Sequence, residues 1–351
     1  MVNLADLIVD GVIENHNLAE ADLSGASFVG LRLRKVNLSQ ANLAGCDFSN
    51  ADLESCDLSQ SSLAQVNFTS ANLVMCKLAS ATMEGANWTA AKFKDCELTN
   101  MQAVQSDWSM TVLDTCVMDQ TKLAAANLEF LKAVNSSFKE VDFTKAVISR
   151  AIFQQSDLST TVFQGTLMEQ TILSQAQLMG QRFPGCQFNT TVFSEADLTG
   201  ADFSKAPLTS VIFGEAKLNN ANFADAQCEK VMFSLADLSG ANLQGASFDN
   251  CDFPMAKLNR VKAGGSRWVF CGMERCEASA SDFEKAYFKF CDLSRSDVQG
   301  SNFTNAVFEV SILHGLNEQD TRWDGAQFDK SPKLDIPRAK AEEWAAPKET
   351  Q

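Results

Sequence analysis

Large apolar residues recur at every fifth position. The run from Leu18 goes Leu23, Phe28, Leu33, Leu38, Leu43, Phe48, Leu53 and Leu58, and the same frame extends back through Ile13 to Ile8. It continues without a slip to Leu313; Ala103, Ala133, Cys228, Ala263 and Ala278 are its small members, Glu318 breaks it, and Trp323 and Phe328 resume it. Two residues before each large residue stands a second restricted position, usually Ala, Cys, Ser, Thr or Val, as at Ala21, Ala26, Ala41, Cys46, Ala51, Cys56, Val66 and Ala71. Asp or Asn often lies between the two, and Ser, Thr or Gly follows.

A period of five fits neither a 3.6-residue helix nor a simple alternating strand. It does fit a very short strand that points two side chains inward, here called i−2 and i, exposes i−1 between them, and then turns. One such unit buries too little apolar surface to fold alone, so the units must stack into a solenoid. A second period gives the circumference. Leu fills 18, 38, 58, 78 and 98, and again 158, 178, 198, 218, 238 and 258, with Met118 and Phe138 between. Phe28, Phe48, Phe68, Trp88 and Trp108 form another column. Like residues twenty apart mean four units per turn and a coil of square section. Successive coils are then neighbouring strands of parallel sheets, about 4.8 Å apart.

The segments "ADLSG", "ANLAG", "ADLTG" and "ANLQG" resemble the pentapeptide-repeat family, whose pattern is A(D/N)LXX. The resemblance covers roughly residues 11 to 328. It implies an all-β fold, a right-handed quadrilateral parallel β-helix, or β-solenoid, with i and i−2 inside. It carries little about activity, because fold does not imply function. The family includes DNA mimics that bind type II topoisomerases, secreted effectors, and components associated with secretion systems. The expected organisation is an N-terminal cap over 1–10, a β-helix over 11–330 and a tail over 331–351 with a short helix. About 16 coils would give an array roughly 77 Å long at 4.8 Å per coil.

The eleven cysteines all fall in the repeat frame. Cys46, Cys56, Cys76, Cys96, Cys116, Cys186, Cys251, Cys271, Cys276 and Cys291 occupy i−2, and Cys228 occupies i. Free cysteine packs as a small hydrophobe, and close-set zinc pairs are absent. In-register columns also give poor disulfide geometry. These thiols therefore read as core residues of a protein kept in a reducing compartment, and a cytoplasmic location is expected. The N-terminus lacks the basic region of a signal peptide.

Catalysis finds no constellation. The two histidines, His16 and His314, lie near opposite ends of the sequence, and the outward Asp and Asn of the i−1 columns are a consequence of the repeat. No catalytic residue, metal site or cofactor site is expected. The formal charge of −15 argues against direct nucleic-acid binding and against an anionic membrane surface. It is also dilute for a DNA decoy, since duplex DNA over ~77 Å carries about 45 charges. Insertions that matter to some topoisomerase-protecting family members are lacking, because every connection keeps the phase.

The more informative departure is apolar. At i−1, where Asp or Asn prevails, the chain carries Ile152, Ile172, Val192, Ile212 and Met232, each twenty residues from the last, with Val147, Leu167 and Val162 from neighbouring faces. Stacked β-branched residues stabilise sheets, and contiguous apolar surface is used for binding; both explanations stand at this point. At the C-terminus, Pro337 and "RAKAEEWAA" read as a brief helix ending near Pro347. Its Trp344 is a candidate for docking on the last coil or on a second subunit of a homodimer. The expected function is a non-catalytic protein-interaction scaffold or accessory protein with an unknown protein partner. The alternatives are a DNA-mimicking modulator of a type II topoisomerase or other DNA-binding protein, and a secretion-associated accessory or effector.

Overall fold

The computed structural model describes residues 4–342. The chain winds through about 16 coils and divides into two compact units, Met1–Asp202 and Phe203–Gln351. Within the pentapeptide frame, i−2 and i are buried and i−1 lies half-buried or exposed. The chain turns nearly all of its corners through a left-handed residue at i+2. Glycine supplies it at Gly25 and Gly45, whereas Glu20, Gln40 and Gln60 adopt φ of 60°, 59° and 58° at the same place in the repeat. Left-handed backbone in non-glycine residues costs roughly 1–2 kcal/mol each, so inter-coil bonding and packing must outweigh a regular local strain.

In the first unit a 3-10 turn, Leu4–Asp6, precedes an antiparallel bridge between Val9 and Val12. One face is then a continuous parallel sheet: β1 (Val12–Glu14), β2 (Arg32–Arg34), β3 (Asp52–Glu54), β4 (Asn72–Val74), β5 (Lys92–Lys94), β6 (Val112–Asp114), β7 (Lys132–Val134) and β8 (Ile152–Gln154). The register is constant at twenty residues, as in Val12↔Arg32 and Lys132↔Ile152. Other faces are closed by single-residue parallel bridges of the same register, such as Asn17↔Asn37 and Asp22↔Asn42. A two-residue strand, β9 (Phe188–Asn189), lies near the end of this unit.

The second unit repeats the architecture in β10 (Pro207–Thr209), β11 (Gln227–Glu229), β12 (Ser247–Asp249), β13 (Arg267–Val269), β14 (Tyr287–Lys289), β15 (Val307–Glu309) and β16 (Gln327–Asp329), paired in parallel and in order. The helix α1 spans Ile336–Glu342, one residue earlier than the proline at which the sequence predicts its start. Trp344 lies outside the described residues.

Because the register never shifts, side chains of one column stack on their own kind. Phe28 and Phe48 lie with ring centroids 4.3 Å apart, Phe48 and Phe68 4.6 Å, and Phe68 and Trp88 4.2 Å, all nearly parallel. In the second unit Phe233 and Phe253 stack at 4.5 Å and Phe288 and Phe308 at 4.8 Å. The break in frame at Glu318 has a local explanation. Its carboxylate meets Lys333 Nζ at 2.6 Å, and the same ammonium lies 4.0 Å from the Trp323 ring centroid and 5.4 Å from that of Phe328. A charge-paired lysine thus covers the rings of Trp323 and Phe328.

Candidate interaction surfaces

All eleven cysteines are free and buried. Many of them donate a hydrogen bond across the coil. The Sγ of Cys46 meets the carbonyl of Leu23 at 3.0 Å, that of Cys186 meets Phe163 O at 2.6 Å, and that of Cys276 meets Phe253 O at 2.9 Å. Threonine and serine do the same from the same frame position: Thr111 Oγ1 donates to Trp88 O at 2.8 Å, Thr171 Oγ1 to Ile148 O at 2.8 Å, and Ser281 Oγ to Leu258 O at 2.6 Å. The common separation is 23 residues, from i−2 of one unit to a large residue of the preceding coil. Small donors at i−2 are therefore a tie between coils, a role not visible in spacing alone. Burial pushes Cys186 up to about 11 and Cys276 up to about 12, and holds Cys228 well above its ordinary range. Contact with the sulfurs of Cys56 and Cys96, with burial after it, raises Cys76 as well. Such thiols are poor nucleophiles. Among the described residues no group of three or more His, Cys, Asp and Glu is arranged to hold a metal ion.

The outward acids are equally occupied. Asp22 Oδ1 accepts from the amide of Ser24 at 3.2 Å and from Asn42 Nδ2 at 2.9 Å. Asp47 accepts from the amide of Ser49 at 2.9 Å and from Asn67 Nδ2 at 3.0 Å. The hydrogen bonds from Ser24 hold the Asp22 carboxyl below the usual carboxylate range. These Asp and Asn residues close the turn after each strand and bridge to the next coil. His16 in the first unit binds Glu14 O through Nδ1 at 2.8 Å. His314 in the second is buried, and its Nδ1 accepts from the amide of Asp335 at 3.2 Å. The surface depressions lined by Arg32, Arg34, Asp52 and Glu54, about 420 Å³, and by Met255, Glu274, Arg275, Ser294 and Arg295, about 350 Å³, present side chains of the repeat.

The apolar stripe is divided between the units. In the first, Ile152↔Ile172 and Ile172↔Val192 are bridged partners, and Val147↔Leu167 are bridged on the neighbouring face. Ile152, Ile172, Val192 and Val147 are half-buried, while Leu167 and Val162 are exposed. In the second unit Ile212 is half-buried and its bridged partner Met232 is exposed. Stacking on neighbours thus shields part of each β-branched side chain and leaves the rest outward.

A second apolar feature escaped the reading of i−1. At the corner position i+2 the second unit carries Phe270, Phe290 and Val310, exposed by 52%, 41% and 41%. Their φ values are 53°, 53° and 50°. A large or β-branched residue is a conformational outlier in that region, and Gly, Asn or Ser holds many other corners. The i+2 column, had it been followed at twenty-residue intervals, contains the signal. The rings of Phe270 and Phe290 stack at 4.7 Å and 11°.

Among the described residues no helix is long and apolar enough to cross a membrane. Family models match much of the chain: one described as a pentapeptide repeat region over residues 166–243, and one described as pentapeptide repeats over 17–54, 46–85, 121–159, 233–262 and 273–309. No curated protein matches. Among solved structures, the chain is similar to HetL of the cyanobacterium Nostoc sp., a pentapeptide repeat protein involved in heterocyst differentiation regulation, at 19% identity over 90% of this chain and 87% of that one, with a TM-score of 0.22. It is similar to a pentapeptide repeat protein of the Arabidopsis thaliana thylakoid lumen at 27% identity over 29% and 70% of the two chains, TM-score 0.27. QnrB1, a plasmid-mediated fluoroquinolone resistance protein, matches at 14% identity over 76% and 92%, TM-score 0.22.

Proposed function

Since the chain belongs to the pentapeptide-repeat family, we propose that it is a non-catalytic protein-interaction scaffold that binds through outward apolar residues of its coils. The observation that carries this reading is the substitution of Ile152, Ile172 and Val192, with Leu167 and Val162 beside them, into columns of the first unit where other coils carry Asn, Asp or Lys. Contiguous apolar surface on a water-facing sheet favours association, and the polar groups of the same faces are occupied in holding the coils. Ile172→Asp with Leu167→Asp tests it. Far-UV circular dichroism should be unchanged, and a protein partner recovered by the wild-type bait should be recovered at least tenfold less. Equal recovery by both baits refutes a binding role for this patch.

A decoy for a DNA-handling enzyme is the second reading, favoured by the net charge of −15. Inhibition or protection of a topoisomerase in supercoiling and relaxation assays would support it. Inert behaviour at micromolar protein would dismiss it.

A further inference from the structure

We infer that the corner formed by Phe270, Phe290 and Val310 in the second unit is a docking ridge for a basic amphipathic helix of a partner protein. The inference rests on the scaffold reading and adds a separate surface with a stated partner chemistry. Three features of the ridge carry it. The first is conformational. Each of these residues holds left-handed backbone while exposing two-fifths or more of its surface, so the corner bears both strain and exposed apolar area. Stacking of Phe270 on Phe290 returns part of that cost, but Val310 has no ring to offer. Ile312, exposed by 42%, extends the same apolar edge onto the next face.

The second is charge. On one side of the ridge Asp249 pairs in register with Val269, next to Phe270, and Glu309 pairs with Asp329. On the other, Asp252 is bridged to Gly272 and Asp292 to Ile312. Gly272 carries no side chain, and acidic groups lean over it: a Cβ built there would lie 3.0 Å from Asp252 Oδ1 and 3.3 Å from Glu274 Oε2. Cations stand beside the ridge as well, and Lys330 continues its corner column one coil past Val310. Lys289 Nζ is 3.0 Å from Glu309 and 5.5 Å from the Phe290 ring centroid, and the Arg267 guanidinium lies 4.9 Å from the ring centroid of Tyr287. Arg275 and Arg295 stand one corner further on, beside Met255. The rim is mixed, but Asp249, Asp252, Glu274, Asp292 and Asp329 outnumber Arg267, Lys289 and Lys330, and this excess favours lysine or arginine on the partner. It also disfavours a second copy of this chain, which would bring the same acidic excess together.

The third is spacing. Ridge residues recur once per coil, about 4.8 Å apart, close to the ~5.4 Å rise of one helical turn. Apolar side chains of a helix at i, i+4 and i+7 can therefore interleave with Phe270, Phe290 and Val310, while lysines flanking that stripe reach Asp252, Glu274 and Asp329. A partner strand matches less well, since its same-face residues are spaced by roughly 6.6 Å.

The test uses the full chain and two fluorescein-labelled 18-residue helical peptides with the same leucine stripe, one with lysine and one with glutamate on the polar face, read by fluorescence anisotropy. The lysine peptide should bind in a salt-sensitive manner. Its affinity should fall at least tenfold in Phe270→Ser/Phe290→Ser and at least threefold in Asp252→Asn/Glu274→Gln. Serine already occupies left-handed corners at Ser55, Ser70 and Ser210, so the ridge variant is expected to fold, and its thermal melt confirms this. Lack of binding, equal binding of the glutamate peptide, or affinity unchanged in the Phe variant overturns the inference. So does a dimer in sedimentation that the Phe variant converts to monomer, because a second copy would then occupy the ridge. The capture experiment with Ile172→Asp and Leu167→Asp bears on the scaffold reading alone, so either result can fail without the other.

Discussion

Replacing Ala86 by serine should make the protein more stable, against the usual expectation for adding a polar group to a core. Among the described residues, Trp88 Nε1 is the buried side-chain donor that has no hydrogen-bond partner. Two other buried tryptophans show how that donor is satisfied. Trp108 Nε1 donates to Ser106 Oγ at 2.7 Å, and Ser106 Oγ donates to Ala103 O at 2.5 Å. Trp268 Nε1 donates to Ser266 Oγ at 2.7 Å, and Ser266 Oγ donates to Ala263 O at 2.6 Å. In each case the serine stands two residues before the tryptophan, and its acceptor is three residues before the serine. Ala86 and Met83 hold those places for Trp88, and Met83 O already accepts from the amide of Ala86 at 3.0 Å, as Ala103 O and Ala263 O do from their serines. The indole planes of Trp88 and Trp108 lie 18° from parallel, with centroids 5.3 Å apart. An unsatisfied buried donor costs about 1–3 kcal/mol and a neutral hydrogen bond contributes about 0.5–1.5 kcal/mol net. Ala86→Ser adds one heavy atom at the edge of a packed core, which offsets part of the gain, and a stabilisation of about 1 kcal/mol is expected. Ser106→Ala should cost about 2 kcal/mol by creating the same orphan. Urea unfolding followed by tryptophan fluorescence and circular dichroism measures both, and hydrogen exchange of the indole N–H reports on the new bond. A neutral or destabilising Ala86→Ser together with a silent Ser106→Ala would refute the argument.

Four further outcomes are expected. Thiols whose folded-state values are raised above the ordinary 9.0, up to about 12 at Cys276 and about 11 at Cys186, favour the fold fully below pH 9; that stability is lost as pH rises from about 9 towards 12, because only the unfolded chain ionises in that window. At roughly 1.4 kcal/mol per unit, Cys276 alone represents about 4 kcal/mol, and Cys276→Ala should flatten part of the alkaline decline in urea midpoints. Ile172→Asp with Leu167→Asp should lower capture of the partner at least tenfold with unchanged circular dichroism. Phe270→Ser with Phe290→Ser should weaken the lysine-faced helix at least tenfold. Val310→Asn, which relieves β-branched left-handed backbone at φ 50°, should raise stability by up to about 1 kcal/mol while weakening the same peptide, so that stability and binding move in opposite directions.

Much of the candidate surface was legible along the chain, and part of it was not, for identifiable reasons. Ile152, Ile172 and Val192 could be picked out because i−1 is normally polar, yet their half-burial depends on how closely the adjacent coils pack. Phe270, Phe290 and Val310 were overlooked because a corner position has no inward or outward rule in a simple two-in, one-out repeat. Glu318 reads only as an interruption until Lys333, fifteen residues on, is seen over the rings of Trp323 and Phe328.

The sequence by itself determined the period of five, the inside columns, the twenty-residue coil and hence the parallel in-register solenoid, because each follows from which side chains must leave water. Only the tertiary structure decided what those columns do to one another: that cysteine, serine and threonine at i−2 tie their coils to a carbonyl 23 residues back, that Trp88 lacks the partner Trp108 and Trp268 possess, and that Phe270 and Phe290 stack at an exposed left-handed corner. Burial is a property that each residue carries into the fold, whereas which donor meets which acceptor is set by distances between stacked coils.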